Sequence, residues 1–447
     1  MTPSPPAFDR AVYAKVTRRI IPFLFLCYIF AYVDRVNIGF AKLQMQSELG
    51  INDAAYGMGA GIFFLGYFIF EIPCNLILQR IGAKRWLGPI MIVWGIVSGC
   101  QMFVTGATSL YVIRFILGVV ESGFFPGVIL YLTFWYPRKY RAKMIAAFMT
   151  AVPLSGVLGG PISGWILDAM SHGVGLRGWQ WLFLLEAIPS ILAGIATAYF
   201  LDDSPQKARW LNQSEKDLLQ QHLDEEEKTK RLESPGHHRI ADAFRSPKVW
   251  LLCLVYFGLV MVNYGISFWL PQIVKDTLTK DAFKIGLLTA VPWGVAAIAM
   301  VAVGHHSDKT GERRWHIALT GVLCAIAFAV SAIPGIPGGL GLVALTIATA
   351  AMASAYSTFW ALPTTLLSGA AASAGIAWIN SVGNLAGYLS PYLVGKIRDA
   401  THSMFWALLM LSFCCLFPAI LVVLCFRPPR IEAEAAPETQ AKTQAGG

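Results

Sequence analysis

Asp34 and Arg35 are chain neighbours inside the apolar run IIPFLFLCYIFAYVDRVNIGF, residues 20–40. Glu121 lies in a second apolar run, and Arg114 precedes it by seven residues. A charge at mid-bilayer costs roughly 2.5–3.5 kcal/mol even on the lenient insertion scale. Charges kept at that cost are expected to do chemistry. A carboxyl group out of water holds its proton more tightly, and a guanidinium nearby loosens it. A contact between the two that forms and breaks between conformations takes up and releases a proton. Arg35 also offers a planar fork that fits a carboxylate, so an anion competing for it would tie its movement to the proton. Asp34 and Glu121 are therefore the expected proton-coupling groups, and Arg35 the expected anion anchor. Seven residues are two helical turns, so Arg114 shares a face with Glu121. It is expected to serve gating or charge relay, with a plain structural pair as the rival reading. Glu71, beside Pro73, and Glu186 are expected to be structural or close to a helix end.

The elements that must hold these residues are membrane helices. The chain has 447 residues, 56% of them hydrophobic and only 14% charged. A soluble chain carries nearer a quarter charged residues. Twelve apolar stretches are long enough to span about 30 Å of hydrocarbon. They are 20–42, 56–78, 87–107, 109–132, 143–168, 180–201, 248–274, 284–305, 316–334, 339–367, 374–396 and 403–426. The fold expected is an all-α membrane protein of two six-helix bundles, 20–201 and 248–426. A tail, 1–19, precedes them and a hydrophilic linker, 202–247, joins them. Within the linker Ser204-Pro205 reads as a helix start, and SEKDLLQQHLDEEEKTKR from Ser214 as a charged, solvated surface helix. The tail 427–447 is low-complexity and expected to be disordered.

Lys and Arg cluster in alternate loops. Arg80, Lys84 and Arg85 follow span 2, Arg138, Lys139, Arg141 and Lys143 follow span 4, and Lys309, Arg313 and Arg314 follow span 8. The stretch 43–55 has none, and Lys275, Lys280 and Lys284 are exceptions to the alternation. This bias predicts both termini in the cytoplasm, in a cell inner membrane. The formal net charge of +9 thus fits an anionic lipid surface and not nucleic acid, whose binders gather charge on one groove or face. The eight cysteines show no ligand spacing and are expected to be free buried thiols, with no disulfide, metal or cofactor. The N-terminus lacks the short apolar core and cleavage site of a secretory signal, so the first span is expected to be retained.

Two loops repeat. NLILQRIGAKRW follows span 2 and GHHSDKTGERRW follows span 8, which places Gly82 and Gly311 at equivalent points of the two halves. Similar halves that rock about a central site are a mark of secondary transporters. The loop pair resembles the signature of the major facilitator superfamily, GxxxD(R/K)xG(R/K)(R/K). The second copy fits through Gly304, Asp308, Lys309, Gly311, Arg313 and Arg314. The first keeps Arg80, Gly82, Lys84 and Arg85 but has Asn75 for the usual Gly and Gln79 for the usual Asp. With YVDRVNIGF, RFILGVVESGFFPG, the WYP of 135–137 and YGISFWLPQIV, the chain from about 15 to 426 is similar to the anion:cation symporter family of that superfamily. The resemblance implies twelve helices, alternating access and proton-driven uptake of organic anions. It implies proton coupling and anion binding at Asp34, Arg35, Arg114 and Glu121, and gating or charge relay at Arg80, Gly82, Asp308, Lys309, Gly311 and Arg313.

An oxygen-rich anion wants hydroxyl and amide donors beside the Arg, with aromatic walls. Tyr32 and Tyr67 qualify in the first half. In the second half Asn263, Tyr264 and Asn384 qualify, and Ser357, Trp360 and Asn380 rank above Asn384 because their placement is similar to family substrate contacts. For a lone Tyr or Trp, packing is the commoner role. Thr150 and Ser155 are modest donors in span 5, where some relatives carry amides. GVLGGPISG in that span lacks GK[ST] and reads as close helix packing, not a phosphate loop. His305 and His306 read as interfacial. No catalytic set stands out, so no enzyme is expected. The function expected is proton-coupled uptake of a tartrate-like dicarboxylate, sugar acid or aromatic carboxylate by a monomer. Anion exchange or efflux, and a transporter-like sensor, are the alternatives.

Overall fold

The computed structural model describes residues 7–171, 175–233, 246–366 and 369–426. The expected C-terminal tail 427–447, the start of the N-terminal tail and linker residues 234–245 lie outside them.

The first half runs α1 (Ala7–Val36), α2 (Ile38–Leu49), α3 (Asp53–Ile81), α4 (Ala83–Cys100), α5 (Ala107–Glu121), α6 (Phe124–Thr133), α7 (Arg138–Met149), α8 (Ala151–Ala169) and α9 (Gly178–Phe200). Helix α10 (Gln213–Glu233) lies in the connection. The second half runs α11 (Pro247–Thr277), α12 (Ala282–Thr310), α13 (Arg314–Ser331), α14 (Gly338–Phe359), α15 (Ala361–Leu366), α16 (Gly369–Thr401) and α17 (Phe405–Cys425). Eleven of the helical segments are long and apolar enough to cross a membrane. The remaining expected span, 374–396, lies in α16, a helix of 33 residues that carries Asn380, Ser381 and Asn384 and packs along α3 and α11. Large apolar side chains face outward: Ile298 is 73% exposed and Ile72 68%. Lipid is the solvent that tolerates such a surface.

The expected spans were too simple in two respects. Helix α1 begins at Ala7, so most of the expected 1–19 tail is already helical. Among the described residues four spans are also interrupted within their length, at Asn37, at Ser122-Gly123, at Thr150 and at Trp360. Asp34, Arg35 and Glu121 sit within a turn of the first two breaks. Such breaks free backbone groups where a cavity can use them.

The repeat is visible in the backbone. Gly82 ends α3 with φ 87° and Gly311 ends α12 with φ 69°. Only glycine takes those values without strain.

The halves meet along two antiparallel seams. In one, α3 lies against α16, with Gly57 against Pro391, Gly61 against Tyr388, Gly387 against Phe64, and Glu71 against Asn380. In the other, α8 lies against α12. A Cβ on Gly160 would come within 2.7 Å of the Gly286 carbonyl oxygen, and one on Gly164 within 2.5 Å of that of Ala282. The GVLGGPISG stretch is thus a helix-packing surface.

The end of the bundle that carries the inter-half connection is called proximal here, and the opposite end distal. At the distal end Lys42, buried, reaches Asp53 at 2.8 Å and Gln272 of the second half at 3.2 Å. Its ammonium lies over Trp269 at 4.2 Å. Arg398 joins Asp276 at 2.7 Å and Asp53 at 3.5 Å. Asp399 accepts from the N–H groups of Asp53 and Ala54 at 3.0 and 2.7 Å. The first turn of α3 is therefore capped by a carboxylate from the other half.

Ser204-Pro205 begins a single 3-10 turn, and α10 starts at Gln213. Asn212 accepts from the Glu215 N–H at 2.8 Å while Glu215 accepts from the Asn212 N–H at 2.9 Å, a reciprocal cap. The helix is not merely solvated. Lys15 pairs with Glu215 at 2.7 Å, Tyr13 bonds His222 at 2.9 Å, and Arg141 pairs with Glu226 at 3.1 Å. All tie α10 to the first half. The cysteines are unpaired, and five are buried, but Cys425 is exposed, against the expectation of burial.

Candidate functional site

Asp34 and Arg35 end α1 and point to opposite surroundings, as neighbours about 100° apart must. Asp34 is fully buried inside the first half. It accepts from Trp94 Nε1 at 3.0 Å and Ser98 Oγ at 3.1 Å, both on α4, and from Ser190 Oγ at 2.5 Å on α9. Arg35 turns to the gap between the halves. Its Nε donates to Glu121 Oε1 at 3.0 Å, and its Nη2 donates to the same oxygen. Its Nη1 donates to the Tyr264 hydroxyl of α11 at 3.2 Å. Tyr32, Phe63 and Tyr67 surround the guanidinium at 5.6, 5.2 and 5.7 Å. The Tyr32 hydroxyl accepts from Asn263 at 3.4 Å. A cation boxed by aromatic faces, with one carboxylate, has the chemistry to hold an anion in exchange for that counter-ion.

Arg114 is buried beneath that anchor and does not hydrogen-bond Glu121. Nη2 donates to the Arg35 and Ala60 carbonyl oxygens at 3.2 and 3.3 Å, and Nε to that of Gly59 at 3.4 Å. It holds the backbone of the residue that bears the anchor against α3. Glu121 Oε2 and Arg114 Nη1 are buried without a hydrogen-bond partner.

The remaining expected residues are spread out. Trp360 packs on Tyr256 at 4.7 Å, and Tyr256 bonds Tyr356 at 2.8 Å. Ser357 donates to the Ser354 carbonyl oxygen of its own helix at 3.0 Å. Asn380 and Ser381 each donate to Glu71 at 3.4 Å. Glu71 is thus neither at a helix end nor confined to one half; it bridges both. Arg80, Gly82, Asp308, Lys309, Gly311 and Arg313 lie at the proximal end. Arg80 stands thirteen residues beyond Tyr67 on α3, or about 20 Å along the axis. Arg313 pairs with Asp308 at 2.5 Å and donates to Ser307 at 2.8 Å, within its own loop.

Sequence reasoning named Tyr264 without ranking it and passed over Trp94, Ser98 and Ser190. Single hydroxyls in apolar runs carry no signal until a neighbouring helix supplies the charge they serve.

The profile of the Major Facilitator Superfamily matches residues 24–391. The chain is 46% identical over 414 residues to a putative metabolite transport protein, NicT, of Pseudomonas putida, covering 93% of this chain and 94% of that one. It is 45% identical over 433 residues to a putative tartrate transporter of Agrobacterium vitis, covering 96% and 94%. Among solved structures the D-xylose-proton symporter superposes with a TM-score of 0.72 at 17% identity, covering 92% of this chain and 98% of that one. At that identity the likeness speaks for the fold alone. The chain therefore belongs to the major facilitator superfamily and is a multi-pass membrane transporter.

Proposed function

We propose that this transporter takes up a small organic anion together with protons. The observation that carries the reading is Arg35, held between the halves by Glu121 on one side and Tyr264 on the other. A substrate carboxylate that takes the Arg35 fork releases Glu121, which then holds a proton better; the reverse exchange returns both. Asp34, buried on three neutral donors, is the second proton-coupling group. An inside-negative membrane opposes anion entry by about 2.3 kcal/mol per charge per 100 mV, and a co-transported proton removes that cost. The tartrate transporter name of one relative supports hydroxylated dicarboxylates as the first substrates to try. Basic loops at the proximal end support placing that end and both termini in the cytoplasm of an inner membrane. Arg35→Ala should weaken anion binding, and Asp34→Asn and Glu121→Gln should each impair accumulation.

The test is internal pH in proteoliposomes as tartrate, gluconate, phthalate and hydroxyphenylacetate are added outside. Acidification beyond that of protein-free liposomes supports proton co-transport. Labelled-anion uptake with a silent pH signal overturns the coupling and points to exchange.

A further inference from the structure

Glu186 lies on α9, one turn before Ser190, the hydroxyl that donates to Asp34 at 2.5 Å. It is only 6% exposed. Its Oε1 accepts from Ser163 Oγ of α8 at 2.6 Å, while its Oε2 has no hydrogen-bond partner. Nearby, at the α1–α2 break, Asn37 is 1% exposed; its amide makes no hydrogen bond of ordinary geometry and interacts with the Glu186 carboxyl. Asn37 and Ser163 line a cavity of about 30 Å³ between the halves, with Ser155, Ser267 and Thr289 among the other walls. That is room for roughly two waters. The cavity walls are mainly apolar, but at their Asn37 and Ser163 corner a buried carboxyl and a buried amide lie within reach of each other beside room for water.

We infer that Glu186 is a proton relay between this inter-half cavity and Asp34. The inference rests on the proton-coupled reading above and adds a route to it. The step balances simply. The Glu186 carboxylic acid gives its proton to Ser190 Oγ, directly or through one water, while Ser190 passes its own hydroxyl proton to the Asp34 carboxylate. One O–H bond breaks at Glu186, one forms at Asp34, Ser190 exchanges one for another, and the negative charge moves from Asp34 to Glu186. The groups facing Glu186 are few. Asp34, from α1, is the charged one; Ser163 comes from α8, Asn37 from the α1–α2 break, and Trp94 and Ser98 of α4 stand behind Asp34. Among the described residues no cation pairs with Glu186, which suits the site to passing a proton on. The cavity opens on the interface that rocking must part, so the relay loads from one conformation only.

The test uses the full chain in proteoliposomes, with whichever anion of the panel above moves most. Counterflow, in which labelled external anion exchanges with unlabelled internal anion, needs no net proton movement. The ratio of proton-driven uptake to counterflow should fall at least tenfold in Glu186→Gln. A ratio and pH profile equal to wild type overturn the relay. Should Glu186→Gln fail to fold, Ser163→Ala decides, since it leaves the carboxyl in place and removes its donor. The pH midpoint of uptake should move in that variant, and an unmoved midpoint overturns the relay. A wild type that shows counterflow but moves no protons overturns the coupling reading and the relay together. Coupling intact in the wild type and in Glu186→Gln overturns the relay alone.

Discussion

Arg35 and Glu121 form a buried ion pair at the boundary between the halves, and Arg35 also holds Tyr264 on the far side. The pair joins two helix breaks, each of which frees backbone close to the charges. Removing one partner of a buried pair costs more than the pair itself contributes, because the other charge is left uncompensated. Arg35→Lys keeps the charge and loses the fork. It should weaken anion binding by about 1.5–3 kcal/mol, the value of one charge-assisted bond. Equilibrium binding of the transported anion to purified protein checks this; affinity equal to wild type removes Arg35 from the site.

Lys42 seals the distal end with Asp53, Gln272 and Trp269. In Lys42→Met that seal loses its ammonium while Arg398 stays with Asp53 and Asp276. The distal face should then open at least about tenfold more often, ~1.4 kcal/mol. The readout is the rate at which an impermeant maleimide labels a cysteine placed at Ser267 in a cysteine-free background. No change in that rate shows that the glycine seams and the Arg398 and Asp399 contacts keep the face shut without Lys42.

Gly57 has the Pro391 carbonyl group where its Cβ would be. Gly57→Ala must separate α3 from α16 or strain both, at about 1–3 kcal/mol. A lower melting temperature in detergent, with faster maleimide access at the distal end, is expected. Gly339→Ala is the control, since open space surrounds that position, and it should melt close to wild type.

Glu215 anchors α10 to the first half. Burial raises its pKa, but hydrogen bonds from the Lys15 ammonium and the Asn212 N–H outweigh that and hold it below the ordinary 4.5. A carboxyl depressed in the folded state contributes stability that is present above its unfolded pKa and lost as pH falls through the folded one. Docking of α10 should therefore be intact at neutral pH and weaken as pH falls below 4.5, the ordinary value of the carboxyl. Hydrogen exchange along α10, corrected for intrinsic rates, should rise there in the wild type. In Glu215→Gln it should be elevated already at pH 7.

Much of the fold was legible because lipid leaves so few options. Apolar length located the helices, and the Gly82 and Gly311 loops announced the repeat that their positive φ values now display. The span boundaries were harder. Nothing in NIGF marks Asn37 as a break, since that break shows only in helix packing. The 374–396 span was named on apolar length like the others, although its amides blunt the signal. For the site, the charges Asp34, Arg35 and Glu121 stood out by their cost. Their partners did not. Arg114 was placed beside Glu121 by helical periodicity, yet its guanidinium spans to carbonyl groups of α1 and α3, a choice set by a neighbouring helix. Glu186 was read as structural because a lone carboxyl near a span start is ordinary. Only the unpartnered oxygen and the cavity beside Asn37 give it another use.

Both seams seat glycines against backbone, with single rings such as Phe64 on Gly387 and Trp293 on Gly156 set among them, where helix pairs elsewhere interlock whole ridges with grooves. Interlocked helices move by jumps, each side chain climbing out of one notch and into the next. The α8–α12 seam, with Gly160 on Gly286, has few teeth, chiefly the Trp293 ring set on Gly156. It works nearly as a plain bearing: one half can roll on the other with little unmeshing, and resistance to the motion is concentrated in the clasp at the distal end, where Lys42 holds Gln272 and Asp53 is held by Arg398 and Asp399. Transport speed in such a machine is governed by the clasp, and a bulky side chain set anywhere along the bearing turns it into a gear.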